Sequence, residues 1–135
     1  MKRRAEREQA FLLIFERTIN NDTMADIIEN ANLSRDLEMS AFAMSVALGV
    51  EEKESVIDQK IEQSILGWKM SRLSKVSFAL LRLAIYEMMF EKDIPISVSI
   101  NEVIDLAKKY GGSEDAPFIN GVLGTVAKDL DLKNE

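Results

Sequence analysis

Apolar residues recur at intervals of three and four along almost the whole chain, and no stretch alternates apolar and polar positions as a strand would. This periodicity predicts helices throughout. The first covers residues 3 to 20, with Phe11, Ile14, Phe15 and Thr18 on one stripe. Thr23 or Asp22 offers a cap for a second helix reaching about Asn30, and Ser34 or Asp36 for a third that carries Met39, Phe42, Ala43, Val46 and Leu48 to Gly49. A fourth, over residues 52 to 66, turns Val56, Ile57, Ile61, Ile65 and Leu66 inward. From Phe78 to Phe90 the chain is apolar almost all round, interrupted by Arg82 and Glu87. That profile belongs to a helix surrounded by others, so residues 73 to 90 are expected at the centre.

Pro95 stands where a sixth helix starts, with Ile96, Ile100, Val103, Ile104 and Ala107 as its buried face and Gly111 as a left-handed stop. Ser113 then caps the last helix, and Glu114 and Asp115 suit the positive end of its dipole. Its stripe is Phe118, Ile119, Val122, Leu123, Val126, Ala127 and Leu130. Asn120-Gly121 is a hairpin signal elsewhere, but here it lies inside a helical period. Gly121 and Gly124 each cost about 1 kcal/mol relative to alanine in a helix, which points to a close neighbour: a crossing helix or a ligand. The expected fold is all-α, one domain over residues 1–135 with about seven helices.

Composition narrows the chemistry. The chain has no cysteine and no histidine, which removes disulfides, thiolate or imidazole metal sites, and Ser-His-Asp or Cys-His nucleophiles. No glycine-rich phosphate loop is present. The expectation is a protein without enzymatic activity, metal or cofactor. No apolar run approaches the roughly 18 to 20 residues that cross a bilayer, and no export-like apolar segment opens the chain, so the expected compartment is the cytoplasm.

Charge is distributed unevenly. Residues 1–17 carry a net +2, while the remainder of a chain of net charge −6 is strongly acidic. A polyanion is therefore drawn to one edge, where Lys2, Arg3, Arg4 and Arg7 stand together. Alternatively Arg3, Arg4 and Arg7 are a frayed, solvated terminus. Phe118 is by default a core aromatic, and Asn120 a helix-to-helix bond. Asn101 and Glu102 are read as holding their helix against the central one, the methionines as core filling, and Glu51-Glu52 as a solvated face. Trp68, beside Gly67 in a connection, is either a packed lid or an exposed contact.

Several segments carry a resemblance. Arg3-Arg4-x-x-Arg7-Glu8-x-Ala10, Leu81-Arg82-Leu83-Ala84-Ile85-Tyr86-Glu87, Asn101-Glu102 through Leu106-Ala107-Lys108, and Phe118-Ile119-Asn120-Gly121-Val122-Leu123 together resemble the bacterial NusB family of transcription antitermination factors over essentially the full length. The resemblance implies two packed helical subbundles and binding of the boxA element of ribosomal RNA leader transcripts, within an RNA polymerase antitermination complex. The implied partner is small-subunit ribosomal protein ten, also called NusE, and the free protein is a monomer or a homodimer. By residue match, Arg4 and Arg7 approach the RNA backbone, Phe118 and Asn120 lie beside bases, and Phe15 and Ser77 sit on the partner side. Phe15 stands where the family often has tyrosine, and Ser77 where it commonly has an acid.

Elementary physics is consistent with that division of labour. Single-stranded RNA requires phosphate neutralisation plus a surface where unstacked bases are read. Four cationic contacts from Lys2, Arg3, Arg4 and Arg7 give a log-log salt slope of roughly −3, at about −0.7 each. Cationic contact alone binds weakly, so a partner adding contacts is expected. The rival readings are a protein-only helical interaction module and a carboxylate-based magnesium hydrolase.

Overall fold

The computed structural model describes residues 1–34 and 39–133, with side chains to Asp131. Among these residues lie seven α-helices and no strand: α1 (Arg3–Asn20), α2 (Met24–Ser34), α3 (Ala41–Glu52), α4 (Glu54–Ser64), α5 (Lys75–Phe90), α6 (Ile96–Tyr110) and α7 (Asp115–Lys133). A short 3-10 turn, Met70–Arg72, precedes α5. Helices α1 to α3 pack as one group and α4 to α7 as another, with α5 touching α1, α3, α4, α6 and α7. The all-round apolar profile thus has its expected consequence: every residue from Ala79 to Ile85 is buried, Arg82 included.

Each remaining helix lends one stripe to that core. Phe11, Leu13 and Ile14 come from α1, Ile57 and Ile61 from α4, Val103 and Ala107 from α6, and Ile119 and Leu123 from α7. A fully buried side chain of this size contributes roughly 1.5–3 kcal/mol, so interdigitation of the stripes dominates folding. Met24, Met39 and Met88 are buried among them, as gap-filling predicts. Among the described residues no helix is long and apolar enough to cross a membrane.

The helix ends differ from expectation in instructive ways. The amide of Asp26 donates to Thr23 Oγ1 at 3.3 Å, as foreseen, but α2 runs on to Ser34, whose hydroxyl donates back to the Asn30 carbonyl. Ser40, not Ser34, caps α3, accepting from the Ala43 amide at 3.0 Å; Asp36 lies outside the described residues. Gly49 does not end α3. A Cβ there would fall 2.3 Å from the Tyr86 hydroxyl, so the glycine admits a neighbouring ring. Glu51 is not idly solvated either: it accepts from the Met24 amide at 2.7 Å and pairs with Arg17. Leu48, Val56 and Leu66 are exposed, at the margins of their stripes.

Gly111 is extended (φ −102, ψ −177), not left-handed. A Cβ there would meet Asp115 Oδ2 at 2.6 Å and the Ala107 carbonyl at 2.9 Å, so close packing explains the glycine. Helix α7 starts at Asp115, which puts Glu114 rather than Ser113 at the capping position. Among the described residues, no atom beyond the neighbouring turns of α7 lies within 4 Å of a Cβ built at Gly121 or Gly124, so no crossing helix accounts for them.

Candidate nucleic-acid interface

The cationic start of α1 divides by helical geometry into an outer and an inner part. Lys2 precedes the helix with an extended backbone. Arg3 lies over the Phe42 ring at 3.9 Å and 3.7 Å from Glu6. Arg4 is exposed and reaches α6, where its Nε is 3.2 Å from Glu102 and its Nη2 donates to Asp105. Glu102 therefore ties α6 to α1, not to the central helix.

Arg7 is withdrawn from the surface. Only 2% exposed, it donates from Nε and Nη2 to the two oxygens of Glu87 at 2.8 and 3.0 Å, and Ser99 Oγ donates to Glu87 Oε1 at 2.9 Å. The expected approach of Arg7 to an RNA backbone is overturned, because a phosphate would have to break a buried, bidentate pair. The spacing held the signal: Arg7 stands four residues before Phe11, on the stripe that faces α5.

Helix α6 separates two clefts. On one side Lys2, Arg4, Glu8, Glu102, Asp105 and Lys109 line a groove, and Glu8 clasps α6 by accepting from Lys109 Nζ and the Tyr110 hydroxyl, both at 2.6 Å. Those two hydrogen bonds, Lys109 first, pull the Glu8 carboxyl below its usual range. The same contact raises Lys109, while burial and then the bond to Glu8 raise Tyr110. On the other side lies a cleft of about 570 Å³, where exposed Asn120 meets Asn101, Ile104 and Lys108.

Phe118 and Asn120 do not share a face. Two residues apart on α7, they project about 200° from each other, on either side of buried Ile119. Phe118 is half-buried and meets Trp68 edge-on at a centroid distance of 5.4 Å. Trp68 is both readings at once, packed on Phe118 yet 60% exposed.

The two residues expected to face a protein partner also part company. Phe15 is half-buried and stacks on Phe11 at 5.6 Å, leaving part of its ring accessible. Ser77 is 1% exposed, and its hydroxyl donates to Asp115 Oδ1 at 2.8 Å, an acceptor shared with Ser74. It fastens α5 to the start of α7 and presents nothing to a partner, which corrects the expectation for this position.

A feature passed over in the sequence is the run from residue 63 to 86, which holds Lys69, Arg72, Lys75 and Arg82 and no acid. Arg82 is consumed by Asp58 at 2.8 and 2.9 Å. The other three are exposed, and among the described residues no carboxylate pairs with them.

The chain is similar to known proteins over nearly its whole length. The profile of the NusB family matches residues 4–128. A transcription antitermination protein NusB of Acetivibrio thermocellus is 46% identical over 130 residues, covering 95% of this chain and 90% of that protein. The solved structure of T. maritima NusB is 35% identical with a TM-score of 0.82, covering 95% of this chain and 92% of that one. A crystal structure of the antitermination factors NusB and NusE in complex with double-stranded RNA shares the fold, with 24% identity, a TM-score of 0.82, and coverage of 96% and 99%.

Proposed function

Because this chain belongs to the NusB family, a family of transcription antitermination proteins and not of enzymes, we propose that it binds the boxA element of ribosomal RNA leader transcripts together with small-subunit ribosomal protein ten (NusE). In this reading residues 1–135 form one RNA-binding domain acting in the cytoplasm within an RNA polymerase antitermination complex.

One observation carries the proposal: the exposed cations of α1 and the exposed amide of Asn120 flank the same helix. Arg4 meets α6 at Glu102 and Asp105, and Asn120 faces it across the cleft with Asn101 and Lys108. Lys2, Arg3 and Arg4 neutralise phosphate while Asn120 reads a base edge, the division that sequence-specific binding of unpaired RNA requires. Phe118, half-buried, offers one ring edge to a base on the opposite flank of α7. Phe15 is the accessible aromatic left for the protein partner. A solved complex of NusB and NusE with double-stranded RNA, which shares this fold, supports RNA as the class of ligand and NusE as the partner.

Titration of labelled boxA RNA with the protein, alone and with ribosomal protein ten, tests this. Tighter binding with the partner and preference over a scrambled RNA are expected. Arg4→Ala should weaken binding to every RNA and reduce the salt slope by about 0.7, whereas Asn120→Ala should narrow the gap between boxA and scrambled RNA. No partner enhancement and no sequence preference would instead favour a protein-only interaction module.

A further inference from the structure

We infer that the Trp68 end of the molecule is an additional contact for single-stranded RNA, with a base stacked on Trp68 and flanking phosphates held by Lys69, Arg72 and Lys75. This rests on the RNA-binding reading above and adds residues that the reading does not use.

The indole is presented by a built turn. Gly67 takes a left-handed backbone (φ +81) that a side chain would strain, the Trp68 amide donates to the Ile65 carbonyl at 2.8 Å, and the 3-10 turn Met70–Arg72 follows at once. One side of the indole rests on Phe118, and the rest opens on a cleft of about 490 Å³ shared with Arg72, Leu73 and Ser74. Leaving a large aromatic 60% in water is unfavourable unless a ligand covers it.

Charge selects the ligand. Around the start of α1 the arginines are already engaged, Arg4 by Glu102 and Asp105 and Arg7 by Glu87, so an incoming phosphate must displace a carboxylate. At Lys69, Arg72 and Lys75 it displaces only water. Glu114 and Asp115 line the opposite wall, but Asp115 is occupied by the Ser74 and Ser77 hydroxyls and the Gly112 amide. The amino end of the 16-residue α5, beginning at Lys75, adds its positive dipole. An open aromatic face that shares its cleft with unpaired Arg72, with exposed Lys69 and Lys75 next in the chain to the lining residues Trp68 and Ser74, suits a polyanion with exposed rings. That describes unpaired RNA, because stacking accepts any base while a duplex hides the faces.

Trp68 is the single tryptophan of the chain, so its emission reports on this site alone. The full chain is titrated with a labelled single-stranded RNA carrying boxA and unstructured flanks, following anisotropy and tryptophan emission together. Quenching of Trp68 along the binding isotherm is expected. Trp68→Leu, which keeps an apolar contact to Phe118, should weaken binding roughly fivefold or more. The triple variant Lys69→Gln, Arg72→Gln, Lys75→Gln, at three exposed positions, should reduce the salt slope by about 2. RNA binding with unchanged emission and unchanged affinity in both variants overturns the inference and leaves boxA binding standing. Emission that responds only to ribosomal protein ten, read as a difference from Trp68→Leu, overturns it in favour of a protein contact. A chain that binds no RNA in any arm removes the broader reading and this one with it.

Discussion

A buried guanidinium bonded through two nitrogens to one carboxylate is a different object from a surface arginine, although a sequence writes both the same way. Removing Arg7 leaves Glu87 unpaired at 0% exposure, with only Ser99 to satisfy it. Arg7→Met should therefore cost roughly 3–5 kcal/mol in urea unfolding, and the double variant Arg7→Met, Glu87→Met distinctly less. Equal losses would mean that the pair itself, not the stranded charge, carries the energy. The glycines give a prediction of opposite signs. Gly121→Ala and Gly124→Ala meet open space within a helix and should each stabilise by about 1 kcal/mol. Gly49→Ala drives a methyl into the Tyr86 ring and should destabilise by about 1–3 kcal/mol. Thermal melts of the three variants decide both claims, and reduced boxA affinity in a stabilised Gly121→Ala would place RNA against that bare face.

Between elements, the contact with the clearest pH signature is the clasp of α1 on α6. Glu8 is held below its ordinary carboxyl range when folded, so it contributes stability above that range that is lost as pH falls through its folded value. Lys109 and Tyr110 are raised, so their contribution is present at neutral pH and is lost as pH rises through their folded values. Glu8→Gln should accordingly flatten both the acid and the alkaline limbs of a plot of stability against pH; limbs unchanged from the parent would show the clasp to be energetically idle. Elements were the most legible scale of this chain. The bounds of α1 and the central place of α5 follow from periodicity, because a helix must bury a contiguous face whatever its partners. Helix ends were less legible, since Ser34, Ser40, Ser113 and Gly111 all resemble punctuation and only tertiary neighbours choose among them. The placement of the candidate residues was legible in part: Arg4 and Asn120 stand exposed beside α6, while Arg7 and Ser77 are buried because their carboxylate partners, Glu87 and Asp115, lie far away in sequence.

For the whole molecule, the question is how a protein of net charge −6 holds a polyanion. Many of its basic residues are not free charge. Arg17 is spent on Glu51 and Glu54, Arg82 on Asp58, and exposed Arg4 on Glu102 and Asp105. The last case matters most, since RNA and two carboxylates compete for one guanidinium. Exposed pairs are worth at most about 1 kcal/mol, so a phosphate can win that competition, yet every such exchange subtracts from the affinity gained. Neutralising the competitors, Glu102→Gln with Asp105→Asn, should therefore tighten boxA binding, because the Arg4 contact no longer displaces a carboxylate. The field of the whole molecule also becomes less negative in that variant, which any polyanion would feel. Asp26→Asn with Glu29→Gln, two exposed acids on α2, makes the same change in net charge away from Arg4 and isolates that effect. If both double variants respond alike, long-range field alone is at work and Arg4 is not a phosphate contact. A larger response at Glu102 and Asp105 assigns to Arg4 the contact and to the two acids the role of keeping it weak.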